Sequence, residues 1–307
     1  MNKKNKMEIE PTSSVGVPGG CDSYIFYAKT SQSHIISKLF EALNANVNDI
    51  NLWIGGTNMT AMCTDASQQR TTHLRLESKS FDVWHVQPGA RVLVGINLPL
   101  LFKLVKDSIK AQNPLTLFIK RDTQRFFVRV DKQRRKGVVS SAGSGGAAGG
   151  SEDCDCTGGF DDSSVPILSL SPLMPQLPTA AYRTMISMDS HAFLQICKMC
   201  QHTSTERIRI FTDVSARTLT IQSEGTHNPA DKRVTLAESD GDVMFRTVGP
   251  ENFSSLFTLR LCHEIGKSTT LSDHMHLYLE PNQPLVFQFD AGNLGYLKFY
   301  LQSRSEE

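Results

Sequence analysis

The chain has 307 residues, 39% of them hydrophobic and 21% charged, with a net charge of +1. That is enough chain for two domains of ordinary size, and the composition places most of it among soluble globular proteins rather than disordered or membrane ones. The near-neutral balance gives no overall attraction to nucleic acid, so any electrostatic site has to come from segregated charge. No apolar run approaches the ~20 residues that span a bilayer, and the start Met1-Asn2-Lys3-Lys4-Asn5-Lys6 lacks the apolar core of a secretory signal. The expectation is a cytosolic or nuclear protein with no membrane partner. Seven cysteines, an odd number without framework spacing, point to reduced thiols.

Residues 1–22, rich in Lys, Ser, Pro and Gly, read as a mobile tail. A first domain is expected over 23–136. It opens on a strand, Tyr24-Ile25-Phe26-Tyr27-Ala28, and a capping Ser31. An amphipathic helix over 31–45 follows, striped by Ile35, Ile36, Leu39, Phe40 and Leu43. A strand over 92–97 leads to a second helix over 98–110, with Leu101, Leu104, Val105 and Ile109 inward. Alternation of Leu115, Leu117 and Ile119, then of Phe126, Val128 and Val130, closes the half with strands. Residues 137–165, dominated at first by Gly and Ser, exceed an ordinary structureless loop and read as a disordered insertion.

After residues 166–181 the same order returns over 182–303. A strand over 182–186 runs through the capping pair Asp189 and Ser190 into a helix over 190–202, with Phe193, Ile196, Cys197 and Cys200 inward. A strand over 256–259, a helix over 260–267 and two strands marked by Met275, Leu277, Leu279 and Leu285, Phe287, Phe289 complete it, before a short tail at 304–307. A tandem duplication of one α+β domain is the simplest account.

Charge is concentrated on the four predicted helices. They hold seven basic residues against three acidic, a balance of +4, which with a net charge of +1 leaves about −3 for the rest of the chain. Lys103, Lys106 and Lys110 share one face of the second helix, and His191, Gln195, Lys198 and His202 line the outer side of the third. Such lysines are either simply solvated or, where several copies face a common centre, line a positive bore that holds phosphates without reading bases.

Other conspicuous residues carry no catalytic pattern. Cys154 and Cys156 have no second pair to complete a metal site, and Gly55, Gly56 and the glycines of 143–150 lack the context of a phosphate loop. His274 and His276 share one face of a strand as a surface pair. Lys132-Gln133-Arg134-Arg135-Lys136 is either a nuclear-import signal or a charged strand end. No nucleophile, base and orienting group can be nominated, so the chain is expected to be no enzyme and to need no cofactor or metal.

Taken together, Glu41-Ala42-Leu43, Ser80-Phe81-Asp82, Val94-Gly95-Ile96-Asn97-Leu98, Pro284-Leu285-Val286 and Gly295-Tyr296-Leu297-Lys298-Phe299-Tyr300-Leu301 resemble the eukaryotic sliding clamp family, proliferating cell nuclear antigen. The likeness covers about residues 24–132 and 166–303. It implies two tandem clamp domains closed into a ring of three identical subunits, helices inside and antiparallel sheets outside. It further implies a processivity factor that encircles duplex DNA and recruits polymerase and other replication or repair proteins through short peptide motifs. A clamp loader would open the ring, in the nucleus or at a viral replication site. The alternatives are a subunit of a hetero-oligomeric checkpoint-type ring and a monomeric binding protein.

By position, the resemblance makes Lys38, Lys103, Lys106, Lys110, Lys198, His202 and Lys267 DNA-facing. Leu177 and Pro178, on a connector between domains, would form a partner-peptide pocket with Pro284, Tyr300 and Leu301, although Leu301 fits ordinary core equally well. Val165, Ile167, Leu168, Val234 and Leu236 would lie at subunit interfaces, with an edge strand over 165–170 meeting one near 233–236. The chain departs from the family at Thr64-Asp65-Ala66-Ser67-Gln68, at Thr212-Asp213-Val214-Ser215 and in the insertion, which suggests a divergent, specialised or viral member.

Overall fold

Eleven elements occur twice in the same order. The first set is β1 (Tyr24–Thr30), α1 (Ser33–Asn44), β2 (Asp49–Ile54), β3 (Asn58–Thr64), β4 (Arg70–Glu77), β5 (Val83–Val86), β6 (Val92–Asn97), α2 (Leu98–Ala111), β7 (Leu115–Lys120), β8 (Arg125–Asp131) and β9 (Phe160–Pro166). The second is β10 (Thr184–Asp189), α3 (Ser190–Gln201), β11 (Arg207–Asp213), β12 (Thr218–Glu224), β13 (Arg233–Ala237), β14 (Val243–Thr247), β15 (Ser254–Thr258), α4 (Leu259–Gly266), β16 (His274–Leu279), β17 (Leu285–Ala291) and β18 (Gly295–Leu301). The structure, a computed structural model, describes residues 23–111, 113–131, 160–172, 174–201, 205–224 and 232–304, without the side chains of 107–111, 160 and 161. The expected N-terminal tail, the 132–136 basic run and Cys154 and Cys156 lie outside the described residues.

Pairing repeats along with order. In the first half β5-β1-β7-β8-β9 form one sheet, and the second half has the equivalent row β14-β10-β16-β17-β18. The remaining strands of each half form β4-β3-β2-β6 and its counterpart β13-β12-β11-β15. The halves then fuse, because β18 pairs antiparallel with β4 from Gly295↔Leu76 to Leu301↔Arg70, making a continuous nine-stranded sheet. Gly295 is required at this seam: a Cβ there would lie 2.0 Å from the Arg75 carbonyl oxygen.

The helices pack on the sheets through the apolar stripes read from the sequence. Ile36, Leu39, Phe40 and Leu43 of α1 are buried, as are Leu101 and Val105 of α2 and Phe193, Ile196, Cys197 and Cys200 of α3. Each fully buried large side chain contributes roughly 1.5–3 kcal/mol. α1 packs on α2, with Ser37 Oγ donating to the Val105 carbonyl, and α3 packs on α4. The two pairs meet where α1 touches the short 3-10 turn Lys267–Thr270 after α4, so one core runs through both halves.

Two local expectations change. Asp189 caps α3 as expected, its Oδ1 accepting from the Ala192 N–H at 2.7 Å. Ser31 does not cap α1: its hydroxyl donates to Asp82, and the residue preceding α1 is Gln32, with no side-chain cap. The edge strand is also Phe160–Pro166 rather than 165–170, so the end of the segment expected to be disordered is a paired strand. Polar Asp161, Asp162, Ser163 and Ser164 hid it from hydropathy. It is held by β8, where the Arg129 guanidinium grips Asp162 at 2.5 and 2.8 Å and keeps that carboxyl below the usual range.

Candidate nucleic-acid interface and partner pocket

Lys38 on α1, Lys103 and Lys106 on α2, Lys198 on α3 and Lys267 just past α4 are all exposed, each opposite the buried stripe of its helix. Lys198 and Lys267 converge on His263 of α4: burial first, then these two ammonium groups, lowers its pKa and favours the neutral imidazole. The nearby acid, Glu264, is turned away into ion pairs with Arg70 and Arg260 at 2.9 and 3.0 Å. Of the helical acids, Glu264 is thus neutralised within the protein, and Lys38, Lys103, Lys106, Lys198 and Lys267 stay exposed. His202 and the side chain of Lys110 lie outside the described residues.

On the sheet side, two of the predicted pocket residues, Tyr300 and Pro284, belong to a tyrosine cluster. Tyr300 is 9% exposed and Pro284 is buried, while Leu177 and Pro178 keep partial exposure on the connector. Leu301 has no exposed surface and belongs to the core, because alternation along β18 turns it opposite to Tyr300. Tyr182, missed by sequence reasoning, joins the group: its hydroxyl donates to the Pro284 carbonyl at 2.9 Å and its ring meets Tyr278 edge-on at 6.3 Å. Burial and the neighbouring tyrosines push the Tyr300 phenol up to about 12, and burial does the same for Tyr182, so both remain neutral.

Beside this cluster a groove of about 740 Å³ runs between the connector and the β2–β3 side of the sheet. Ile50, Met62 and Cys63 lie on its sheet side, and Leu170, Met174 and Pro175 on its connector side. It adjoins the tyrosines through Thr71, the cross-strand partner of Tyr300. The connector is tied down at Leu168, whose N–H donates to the Gly95 carbonyl at 2.8 Å, and at Ser171, whose carbonyl accepts from Asn51 Nδ2 at 2.6 Å. Gly95 permits this contact, since a Cβ there would sit 2.3 Å from the Leu168 carbonyl oxygen.

Of the predicted interface residues, Val165 and Leu236 are buried within their own subunit, and Ile167, Leu168 and Val234 are half-buried. What β9 and β13 offer outward is an edge: among the described residues each pairs with one strand only, β9 with β8 and β13 with β12. His276 is likewise no free surface group. Its Nδ1 lies 2.8 Å from Ser187 Oγ and its Nε2 3.3 Å from Asp290 Oδ2. Cys197, Cys200 and Cys262 are buried thiols, all pushed up by burial and so kept unreactive.

A duplicated α+β domain with helices on one side, one continuous sheet fusing the halves and an unpaired edge at each end defines the class of two-domain DNA clamps. Residues 176–304 match the family model of the proliferating cell nuclear antigen C-terminal domain. The chain is 19% identical over 280 residues to "Probable DNA polymerase sliding clamp 1" of Paramecium bursaria Chlorella virus 1, covering 91% of this chain and 97% of that one. Its fold is that of the crystal structure of proliferating cellular nuclear antigen from Entamoeba histolytica, with a TM-score of 0.74 and 20% identity over 92% of this chain and all of the other. Over nearly its whole length the chain thus resembles sliding clamps of the proliferating cell nuclear antigen kind, at low sequence identity.

Proposed function

We propose that the protein is a DNA polymerase processivity factor, three copies of which close into a ring around duplex DNA. The β18–β4 seam carries this reading. By the internal repeat, β9 is the counterpart of β18 and β13 the counterpart of β4. The pairing made inside the chain by β18 and β4 is thus left open at β9 and β13, and a second copy can supply it. A contact between different surfaces repeats from copy to copy until the ring closes, and three chains contribute six equivalent halves.

Repetition of the same packing keeps the helical layer on one side throughout. Lys38, Lys103, Lys106, Lys198 and Lys267 of every copy then face the enclosed duplex, with Lys110 and His202 assigned to the same surface by position. Topology holds the ring on DNA, so these groups need only weak, sequence-blind phosphate contacts. Leu177, Pro178, Pro284 and Tyr300, together with the adjoining groove, receive short peptides of polymerase and other replication proteins. A separate clamp loader opens the ring, in the nucleus or at a viral replication site. The role is to hold rather than to catalyse.

Encirclement has its own signature. After loading onto nicked circular DNA, the protein is expected to stay through gel filtration in high salt and to leave once a restriction enzyme cuts the circle. Equal loss from circular and linear DNA would reduce the interaction to ordinary surface binding. Light scattering should give a mass near three times 34.1 kDa. A persistent monomer would instead favour a ring completed by different chains.

A further inference from the structure

Sheet faces that turn to solvent are ordinarily polar, yet the outer face of β1, β7 and β8 carries a cluster of rings separate from the main core. Along β8, Phe126 and Val128 are buried inward, so Arg125, Phe127 and Arg129 alternate outward. Tyr27 on β1 stands opposite Phe118 on β7, which in turn stands opposite Phe127. Tyr24, Tyr27 and Phe118 pack edge-on or tilted against one another, with centroids 5.3, 5.6 and 6.4 Å apart. Phe127 stacks on Phe118 with an angle of 8° between planes and 5.0 Å between centroids. The first three rings are buried, whereas Phe127 is only half-buried and keeps an accessible surface.

Cations surround this ring. Lys120 Nζ lies 5.2 Å from the centroid of Phe127, and the guanidinium carbon of Arg129 lies 5.0 Å from that of Phe118. Arg129 is neutralised by Asp162, and Lys29, further along the face, by Asp131. Lys120, Arg121 and Arg125 are exposed and, among the described residues, in no ion pair. Arg125 donates instead to the neutral hydroxyl and carbonyl of Ser164. Against them stands Asp122, which leaves the β7–β8 turn with a balance of +2.

We propose that this face binds single-stranded nucleic acid, one base stacking on Phe127 while the flanking phosphates lie along Lys120, Arg121 and Arg125. A duplex keeps its base faces inside the stack, whereas an unpaired strand offers a base face and a phosphate together. A phenyl ring accepts any base and the cations contact only the backbone, so recognition is blind to sequence. Packing on Phe118 has already fixed the ring before a strand arrives. A mere apolar plug on the sheet accounts for Tyr24, Tyr27 and Phe118, but not for an accessible ring flanked by unpaired cations. Phe127 pairs with Ser164 of β9 and so stands one strand inside the edge that ring closure uses. By the internal repeat, the β7–β8 turn is the counterpart of the β16–β17 turn that carries Pro284. In the ring proposed above, the platform therefore lies on the peptide-pocket side, beside a docked polymerase and its unpaired template. Only this placement rests on the ring; the binding does not.

The test titrates the full chain, in its own assembly state, into a fluorescein-labelled oligothymidylate and reads anisotropy. Saturable binding is expected, weakened about tenfold by Phe127→Ala and retained in Phe127→Tyr. Lys120→Gln with Arg121→Gln should also weaken it and lower its dependence on log salt. A short strand can also enter the helical bore, so Ala at Lys103, Lys106, Lys198 and Lys267 together is the companion variant. It should lose retention on circular duplex while keeping single-strand binding that responds to Phe127→Ala. If Phe127→Ala loosens the fold, photocrosslinking decides, an oligothymidylate carrying 5-iodouracil being expected to attach to Phe127 of the unaltered chain. Absence of saturable binding, crosslinks confined to the helices, or full affinity in Phe127→Ala would each overturn the assignment. So would equal displacement by polyglutamate and by unlabelled oligothymidylate, which marks a dock for acidic peptides. Failure of the clamp reading shows separately, as loss of circle-specific retention with single-strand binding intact.

Discussion

Arg70, on the first half, places Nη1 2.9 Å from Oε2 of Glu264 on the second, and the same guanidinium reaches Asn46 through both the side-chain and the backbone oxygen. With its side chain 6% exposed, Arg70 is a nearly buried cation that draws partners from the loop after α1 and from α4. It thereby ties the helices of the two halves together behind the β18–β4 seam.

Removing the acid leaves the cation in place. Glu264→Ala should lower stability by about 1–3 kcal/mol, because a buried guanidinium then keeps only its Asn46 contacts. Urea denaturation of the single variants and of the double variant with Arg70→Met checks this as a mutant cycle. Simple additivity would mean that the bridge does not couple the halves.

His73 supplies a pH dependence with a definite sign. Its ring is 7% exposed and lies nearly parallel to Tyr300, with centroids 6.5 Å apart. Burial, then Lys298 and Arg75, lowers its pKa from 6.5 to about 4. Between those values the unfolded chain binds a proton that the folded chain refuses, so stability is full above about pH 6.5 and falls as the pH drops toward 4. The loss should reach about 2–3 kcal/mol at the lower end. In His73→Phe, which keeps an aromatic ring without a titrating group, this part of the pH profile should flatten.

At the seam, Gly295→Ala should be far more damaging than Gly89→Ala. The first drives a Cβ to within 2.0 Å of the Arg75 carbonyl, whereas Gly89, at φ +77°, faces open space and meets only backbone strain. About 1 kcal/mol is expected at Gly89 and several times that at Gly295, read as thermal midpoints. Equal midpoints would show that the seam yields easily.

Substituting Lys103, Lys106, Lys198 and Lys267 with Ala should leave the fold and the oligomeric mass unchanged while weakening DNA retention. It should also reduce the dependence of binding on log salt, since fewer counterions are released. Lys79→Ala, at an exposed turn outside the helices, serves as the control and should change neither quantity. An unaltered salt slope in the fourfold variant would remove these helices from the DNA-facing surface.

Much of the scaffold is legible along the chain. Helix stripes such as Ile36, Leu39, Phe40 and Leu43 repeat at the helical period, and pairs such as Leu285 and Phe287 alternate at the strand period. The connector proved harder to read, because its contacts with Gly95 and Asn51 lie far away in sequence. β9 lies several residues before the expected edge strand, since a strand tied by Arg129 to Asp162 shows little hydropathy. Nothing in the spacing around Arg70 or Tyr182 marks either residue, as each is defined by partners in the other half or across the sheet.

The amino-acid order alone settled the doubled α+β plan, the inward stripe of each helix and the concentration of lysines on the opposite faces. These depend on periodicity and composition, which are local properties of a chain. Only the tertiary structure decided that β18 closes on β4 while β9 and β13 stay open, that Glu264 turns inward to Arg70, and that Leu301 lies in the core beneath Tyr300. Strand pairing and ion pairing between residues this far apart in sequence are fixed by three-dimensional packing, and no local pattern encodes them.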